Sequence, residues 1–227
     1  KMLSKLMYFF VNSKVKYQFN NKIYFGMHAV ENYNNFVSDI IGIKFEPGNL
    51  FLKTSRVYRK SKQKKLLGIN PGASYGSAKR WEPEEFAKVA TGLANQYDIV
   101  ILGGTNEEGL AVDIENHLIA NNITNYQNLV GKTSISDLLS IIKSLDLMVT
   151  ADSGPMHVAA AFKVPTVSIF GPTNDFETSQ WMNKKSLIVK KDLDCQPCMN
   201  RTCHLKHHNC MKYIKSEEVL NAVNALK

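Results

Sequence analysis

The chain has 227 residues, of which 44% are hydrophobic and 10% aromatic, as in an ordinary globular protein that buries a core. No apolar run approaches the ~20 residues that span a bilayer as a helix, which argues against a membrane-spanning protein. The net charge of +8 favours anionic partners such as phosphates or acidic lipids. Nucleic acid is the least favoured of these, because no basic face with interleaved aromatic residues accompanies the charge.

Residues 1–62 show no repeat of strands and helices. The opening "KMLSKLMYFFVNSKVKY" resembles a signal peptide, but it has no small-residue cleavage site and Ser4-Lys5 interrupts its apolar run, so we expect folded chain. The basic run 59–65 is typical of a solvated linker, and contact with an anionic membrane surface is the alternative.

A helix is predicted over 28–41, "HAVENYNNFVSDII". Its apolar residues recur at helical spacing, which places four of them on one stripe. They are Val30, Tyr33, Val37 and Ile40.

From Leu66 onward the pattern alternates between short apolar runs and amphipathic helices. The predicted strands are 66–70, 98–104, 125–131, 146–150 and 165–171. The predicted helices are 82–96, 106–121, 135–145, 154–163 and 216–227. Pro83 suits a first helical turn, and the predicted helix caps are Asn106, Thr133 or Ser134, and Ser216. The alternation predicts an α/β fold with a Rossmann-like, doubly wound parallel sheet, which binds ligands at the carboxyl ends of its strands.

The loop "NPGASYGSAKRW", residues 70–81, follows the first of these strands. Its small residues, among them Ser74 and Ser77, let backbone amides approach an anion, and Lys79 and Arg80 supply positive charge for a diphosphate. A flexible polar loop is the alternative. The glycine spacing matches neither a Walker loop nor the dinucleotide fingerprint.

The loop "GGTNEEG", residues 103–109, follows the next strand. Glu107 or Glu108 could accept hydrogen bonds from ribose hydroxyls, as acids do in other doubly wound sites. The alternative is that both merely complement the positive end of their helix.

The junction "TADSGPMHVAAA", residues 150–161, places Asp152, Ser153 and Gly154 at a helix N-terminus, where free amides favour phosphate oxygens. His157 falls in the first turn of that helix. A cap followed by a core histidine is the alternative. Three loops suited to anions or sugars at three strand ends nevertheless predict one site.

The turn "FGPTND", residues 170–175, ends the next strand beside that junction. Gly171 would let backbone approach a ligand and Thr173 could hydrogen-bond to it, although an ordinary turn explains both equally well.

All four cysteines fall in "CQPCMNRTCHLKHHNC", residues 195–210. The spacing of Cys195, Cys198, Cys203 and Cys210 is compatible with a structural zinc site in a reducing compartment. Two disulfides and free thiols stay open as alternatives.

Together these motifs resemble those of glycosyltransferase family 9, the heptosyltransferases of lipopolysaccharide inner-core synthesis. The resemblance runs from "NPGASYGSAKRW" through "ILGGTNEE" and "LVGKTSISDLLSIIKSLDLMVTADSGPMHVAAAFKVPTVSIFGPT" to the cysteine-rich tail, over roughly the last two thirds of the chain. It implies a GT-B fold in which 63–227 form the donor-binding domain and 1–62 the end of the acceptor-side domain plus a linker. The cysteine-rich segment 195–210 and the terminal helix 216–227 belong to the donor domain.

The resemblance also implies an inverting transfer of heptose from ADP-heptose to a lipid A–Kdo acceptor, at the cytoplasmic face of the inner membrane as a peripheral protein. Lys79 would contact the donor diphosphate, and Glu107 or Glu108 the ribose. Asp152, Ser153, Gly154 and His157 would line the diphosphate and heptose site. No cofactor and no catalytic metal are implied, because basic side chains and helix amides can neutralise the departing ADP.

This sequence departs from the family at its start, since the family's opening glycine-rich loop and acidic base have no counterpart in 1–62. We therefore expect the chain to bind ADP-heptose or ADP and to transfer sugar slowly or not at all. The competing hypotheses are a non-catalytic nucleotide-binding module and a zinc-containing nucleic-acid binder. The sequence defines neither the exact acceptor nor an oligomeric state.

Overall fold

A computed structural model of the protein describes residues 14–58 and 64–226. The chain divides into two units, Lys1–Gly48 and Asn49–Lys227. The signal-like opening falls mostly on residues 1–13, and the basic run mostly on 59–63, so both predictions lie largely outside the described residues. The predicted domain boundary between 62 and 63 also stays a prediction.

The helix predicted in the first unit is present as α1, Ala29–Ile41. His28 caps it, because its Nδ1 accepts a hydrogen bond from the Val30 N–H at 3.2 Å while its own N–H donates to Glu31 Oε2 at 3.0 Å. Gly42 ends the helix with φ +69°, a left-handed conformation that glycine adopts without strain.

The apolar stripe of α1 is not buried as its pattern predicts. Tyr33 and Val37 are 56% and 47% exposed, and the buried residues of the helix are Asn32 and Ser38. Tyr33 contacts the ring of Phe19, with ring centroids 4.5 Å apart.

The second unit contains a six-stranded sheet with the order β3-β2-β1-β4-β5-β6, in which every neighbouring pair is parallel. Its strands are β1 Lys65–Asn70, β2 Tyr97–Ile101, β3 Tyr126–Asn128, β4 Leu147–Ala151, β5 Thr166–Ile169 and β6 Ser186–Val189. The predicted doubly wound parallel sheet is confirmed, and β6 is an addition that the sequence reading missed. That strand is a short edge strand of four residues, three of them only partly buried, so it lacks the apolar run that marks the central strands.

Helices follow most of the strands. They are α2 Pro83–Leu93, α3 Glu108–Ala120, α4 Ile135–Ser144, α5 Gly154–Ala161, α6 Asp175–Thr178, α7 Asn209–Lys212 and α8 Ser216–Ala225, with 3₁₀ turns at Ser77–Lys79 and Thr105–Glu107.

Two of the predicted helix starts are confirmed. Pro83 lies in the first turn of α2, and Ser134 caps α4 by accepting a hydrogen bond from the Asp137 N–H at 3.2 Å. Two predicted caps are wrong by one residue. Asn106 lies inside the 3₁₀ turn before α3. Ser216 is the first residue of α8, and its N-cap is Lys215, whose N–H donates to Glu218 Oε2 at 2.9 Å.

The core is divided between the two faces of the sheet. On one face Leu67, Ile69 and Ile101 pack with α2, α3 and α8. On the other face Leu66 and Val100 pack with α4 and α5. Successive strand residues point to opposite faces of the sheet. Because helices cover both faces, the side chains on both are buried, and the strands are apolar without polar alternation.

The strand order reverses between β1 and β4, which are neighbours in the sheet although β2 and β3 separate them in sequence. Loops that leave such strands in opposite directions open a crevice at their carboxyl ends, where doubly wound sheets bind ligands. Within residues 14–58 and 64–226, no helix has both the length and the apolar character to span a membrane.

Candidate functional site

A cavity of about 710 Å³ lies at the carboxyl ends of the central strands. It is lined by the loops after β1, β2, β3 and β4, by Thr173 after β5 and by Met199 of the cysteine-rich segment. Its volume suits a nucleotide-sized ligand. The predicted convergence of three loops on one site is therefore present in the geometry.

Asp152 lies at the centre of a buried polar cluster in this cavity. It is 3% exposed, and its Oδ2 accepts a hydrogen bond from Thr173 Oγ1 at 2.6 Å. The same oxygen pairs with Lys79 Nζ at 2.5 Å, and both side chains of this pair are largely buried. A buried charge without such partners would be costly, so the cluster fixes the position of each group.

Lys79 faces the cavity from the 3₁₀ turn after β1. Its Nζ lies 4.7 Å from the ring centroid of Tyr75, as in a cation–π contact. Its ammonium therefore remains at the cavity wall beside Asp152, where it can bind an incoming anion.

Asn70 links the two central strands at their carboxyl ends. Its Nδ2 donates to Thr150 Oγ1 at 2.9 Å and to Ser153 Oγ at 2.8 Å. This pair of bonds orients the Ser153 hydroxyl immediately before α5. The first residues of α5, including Gly154 and His157, line the cavity next to it.

The structure distinguishes the two adjacent glutamates of the loop after β2. Glu107 is 5% exposed, lines the cavity and accepts a hydrogen bond from the Gly104 N–H at 2.7 Å. Glu108 is exposed and lies near Gly131 instead, outside the described cavity lining. A side chain on Gly72 would collide with Glu107, because an added Cβ would come within 2.4 Å of Glu107 Cγ.

The phosphate-loop candidates fall into two groups. Ser74 and Lys79 line the cavity, whereas Ser77 and Arg80 of the same loop line a second cavity. Ser77 and Arg80 therefore lie outside the lining of the first cavity, and a supporting role for them in the first site stays a prediction. Ser77 and Lys79 belong to a 3₁₀ turn that sequence alone does not reveal.

Gly171 does not face the ligand cavity as expected. It is buried, and an added Cβ would lie 2.3 Å from Met211 Sδ and 3.3 Å from Cys210 Sγ. Its carbonyl accepts a hydrogen bond from Gln196 Nε2 at 2.6 Å. Gly171 therefore permits a close approach of the cysteine-rich segment. Of the two candidates in the turn 170–175, Thr173 is the one that lines the cavity.

The cysteine-rich segment supports two loops of the site. Arg201 O accepts a hydrogen bond from the Ala78 N–H at 3.0 Å, and Met199 O accepts one from Tyr75 Oη at 2.6 Å. The Met199 N–H donates to Pro172 O at 2.8 Å. These bonds connect the loop after β1 with the loop after β5.

The zinc alternative for the four cysteines has no support within residues 14–58 and 64–226. None of the four thiols is in a disulfide, and no group of three or more metal-ligating side chains occurs in the described part of the chain. Cys203 Sγ accepts a hydrogen bond from the His208 N–H, and Cys210 packs beside Gly171. Burial, together with the three other thiols, raises the pKa of Cys210 to about 11, so this thiol stays protonated near neutral pH.

Several lining residues were missed by the sequence reading. They are Asn70, Tyr75, Thr133, Ser134, Leu138 and Met199. Asn70 and Tyr75 lie inside the motif that was singled out, and Ser134 caps α4, so their positions at strand ends or helix starts could have indicated them. Met199 had no such signal, because it reaches the cavity only through tertiary contacts of an irregular segment.

The chain is similar to known glycosyltransferases over most of its length. Residues 9–209 match the family described as glycosyltransferase family 9 (heptosyltransferase). A Campylobacter jejuni protein named lipooligosaccharide heptosyltransferase 2 is 43% identical over 232 residues, covering 99% of this chain and 72% of that relative.

Two solved structures share the fold. The Escherichia coli ADP-heptose LPS heptosyltransferase II matches with a TM-score of 0.63 and 24% identity, over 86% of this chain and 51% of that one. Escherichia coli heptosyltransferase WaaC with ADP matches with a TM-score of 0.68 and 13% identity, over 94% of this chain and 60% of that one. The chain thus spans between half and two thirds of these solved structures, and the predicted GT-B-type fold is confirmed.

Proposed function

The chain belongs to glycosyltransferase family 9, and from this premise we propose that the protein transfers heptose from ADP-heptose to the inner core of lipopolysaccharide. In this proposal residues 64–226 hold the donor. The observation that carries it is the convergence of Lys79, Glu107 and Asp152 on one cavity at the point where the strand order reverses.

The donor diphosphate would lie between Lys79 and the start of α5. Lys79 pairs with Asp152 in this structure, so donor binding would shift its ammonium toward the phosphate oxygens while Thr173 continues to hold the aspartate. The positive end of α5 adds to the attraction, because the amides of a first helical turn have no partners within the helix.

Glu107 is the better candidate for the ribose. Its Oε2 is occupied by the Gly104 N–H, and its Oε1 accepts no hydrogen bond from any residue that the structure describes. A carboxylate oxygen fixed in this way can accept hydrogen bonds from vicinal hydroxyls. Ile135 and Leu138 supply apolar surface in the same cavity for the adenine ring.

The proposed reaction is a displacement at the anomeric carbon of the heptose. The acceptor hydroxyl loses its proton to a carboxylate base and forms the new bond to this carbon. The bond from the carbon to the ADP oxygen breaks, and the electron pair departs with ADP. Lys79 and the α5 amides stabilise the charge that develops on the diphosphate.

Calorimetric titration of the 227-residue chain tests the donor site, using ADP and a non-hydrolysable ADP-heptose analogue, with UDP and NAD as comparison ligands. We expect selective binding of the adenine diphosphates and a loss of about 100-fold in affinity for Lys79→Gln, or about 2.7 kcal/mol. Lys185→Gln is the matched control, since this lysine is exposed and outside the cavity.

Equal affinity for ADP in the Lys79→Gln and Lys185→Gln variants would overturn the assignment of the site. Heptose transfer to a lipid A–Kdo acceptor is measured in parallel, because donor binding and transfer by this chain are separate predictions. Transfer that falls in Lys79→Gln and not in Lys185→Gln would support the proposed reaction, and equal transfer by the two variants would contradict it.

We further propose peripheral association with an anionic membrane surface through the basic run 59–65. Lys64 of this run donates through Nζ to Ala94 O at 2.9 Å, so this end of the run is held against the donor domain. Binding to anionic vesicles should weaken strongly as salt is raised. Association that is insensitive to salt would contradict this proposal.

A further inference from the structure

A second cavity, of about 420 Å³, is also lined in part by the loop after β1. Its polar lining consists mainly of Ser77, Arg80, Glu82, Thr202, Lys206 and His208. None of the described residues that line the donor cavity also lines this one. It is formed between the 3₁₀ turn Ser77–Lys79, the start of α2 and the cysteine-rich segment.

Arg80 is the unusual residue of this second cavity. Its Nε is buried and has no hydrogen-bond partner within residues 14–58 and 64–226. A buried donor without an acceptor is costly, which makes Arg80 unusual among the residues of this lining. The next residue, Trp81, is 1% exposed and its Nε1 donates to Ile214 O at 3.0 Å, so the backbone beside Arg80 is firmly held.

The surrounding groups are mainly donors. Lys206 lies at the cavity, and no described carboxylate forms an ion pair with it or with Arg80. The hydroxyls of Ser77 and Thr202 add two further donors. Glu82 is the one carboxylate in the described lining, which leaves two permanent cations against one anion.

His208 completes the wall without opposing an anion. Its Nε2 lies 2.9 Å from Ala78 O, and a carbonyl oxygen only accepts, so Nε2 carries the proton of this bond. The bond ties the cysteine-rich segment to the 3₁₀ turn and fixes the width of the cavity at that point.

We propose that the second cavity binds a phosphate group, either as free inorganic phosphate or as the phosphomonoester of a larger molecule such as a lipid headgroup. The guanidinium of Arg80 presents donors in the planar arrangement that matches two phosphate oxygens, and Lys206 supplies a point charge to the third. Lys79 and Arg80 are consecutive and line different cavities, so the donor diphosphate and this phosphate would contact neighbouring residues of one loop.

The test is a titration of the full chain with inorganic phosphate in the presence of saturating ADP, followed by NMR. Only two tryptophans occur in the chain, and the indole N–H of Trp81 reports on the second cavity while that of Trp181 lies outside its lining. We expect a saturable shift of the Trp81 resonance and an unchanged Trp181 resonance.

The Arg80→Gln/Lys206→Gln double variant should raise the apparent Kd for phosphate by ~10-fold or more, because it removes both charged donors. The Lys184→Gln/Lys185→Gln double variant is the matched control, since it removes two exposed charges elsewhere and should leave the Kd unchanged. Lys206→Gln alone changes only an exposed side chain, so it gives a smaller increase without a risk to folding.

A shift that does not saturate, or an equal Kd in the two double variants, would overturn the proposal. The same phosphate titration of the Lys79→Gln variant without ADP separates this site from the donor site. The Trp81 shift should still saturate there, and this result does not depend on whether the first cavity binds ADP. Cosedimentation with phosphatidylcholine vesicles containing phosphatidic acid identifies the source. A loss of cosedimentation that is specific to the Arg80→Gln/Lys206→Gln variant indicates a lipid phosphomonoester. Unchanged cosedimentation of this variant indicates a soluble phosphate.

Discussion

The junction 150–157 and the cysteine-rich segment 195–210 both contribute to the cavity at the strand ends, but they do so by different means. At the junction, β4 ends and α5 begins within three residues, so regular structure places the Asp152 and Ser153 side chains directly. The cysteine-rich segment contains little regular structure. It acts mainly through backbone carbonyls such as Arg201 O and Met199 O, which hold the neighbouring loop after β1.

The difference separates two kinds of functional importance. A strand end presents side chains to a ligand, because hydrogen bonding to its neighbours fixes the backbone. An irregular segment requires its own tertiary contacts before it can position anything. Its substitutions should therefore affect the shape and stability of the site, whereas those at the junction should affect the chemistry of the site.

The largest effect is expected for Gly76→Ala, where the cysteine-rich segment meets the phosphate loop. An added Cβ would lie 2.2 Å from Arg201 O, a backbone atom that cannot move aside cheaply. We expect a loss of about 3 kcal/mol in the free energy of unfolding, measured by urea denaturation. Gly109→Ala is the control, because nothing lies within 4 Å of its added Cβ and alanine favours a helix. Equal stabilities of the two variants would show that the segment does not brace the loop.

A smaller loss in the free energy of unfolding is expected for Thr173→Val, which removes a hydrogen bond to Asp152 of the junction. This substitution keeps the shape but removes the hydroxyl that donates to buried Asp152 at 2.6 Å. A hydrogen bond to a buried carboxylate contributes about 2 kcal/mol to stability, and ADP affinity should fall as Asp152 loses its fixed position. Thr124→Val, at an exposed threonine, should change unfolding by less than about 0.5 kcal/mol. A Thr173→Val protein with unchanged stability and ADP affinity would contradict the role given to this bond.

Glu85→Gln tests how the chain is anchored after the cysteine-rich segment. Burial opposes the ionisation of Glu85, but hydrogen bonds from Ser216 and Lys88 together lower its pKa. The lowered pKa means that the ionised carboxylate stabilises the fold above the unfolded-state value near 4.3, and that this contribution is lost as pH falls through the folded-state value.

We therefore expect Glu85→Gln to destabilise the protein by about 1 kcal/mol at neutral pH, with the difference from wild type shrinking below about pH 4. Urea denaturation across this range measures it. A difference that grows on acidification would refute the assignment. Glu217→Gln is the control, because Glu217 is an exposed glutamate next to Ser216 in the first turn of α8.

The smallest effect on stability, none at all, is expected in a test of the reactivity of Cys210. The pKa of Cys210 is about 11, so alkylation by iodoacetamide near pH 8 should be about 100-fold slower than for an unperturbed thiol. Peptide mass spectrometry follows each cysteine separately, and urea should restore rapid labelling of Cys210. Fast labelling in the folded protein would mean that this end of the segment opens readily.

The order of the elements was predictable because it depends on local chemistry. Buried runs such as "LLGIN" and "DLMVT" could be assigned as strands, and the chain order of strands and helices implied a parallel sheet. The same reasoning explains why Lys79, Asp152 and His157 could be placed in one site. Each lies just after a strand, and parallel strands end at the same edge. The short edge strand β6 was missed because half-burial leaves no distinctive pattern.

What the sequence by itself determined is therefore the type of fold, the edge of the sheet that carries the cavity and about half of the polar residues that line it. Only the tertiary structure decided which of two adjacent residues lines the cavity at the strand ends. Glu107 lines it and Glu108 does not, while Lys79 lines it and Arg80 lines the second cavity. It also shows no cluster of metal-ligating side chains in the described chain, and it places Gly171 against Met211. These outcomes depend on contacts between residues far apart in sequence, and local spacing contains no information about such contacts.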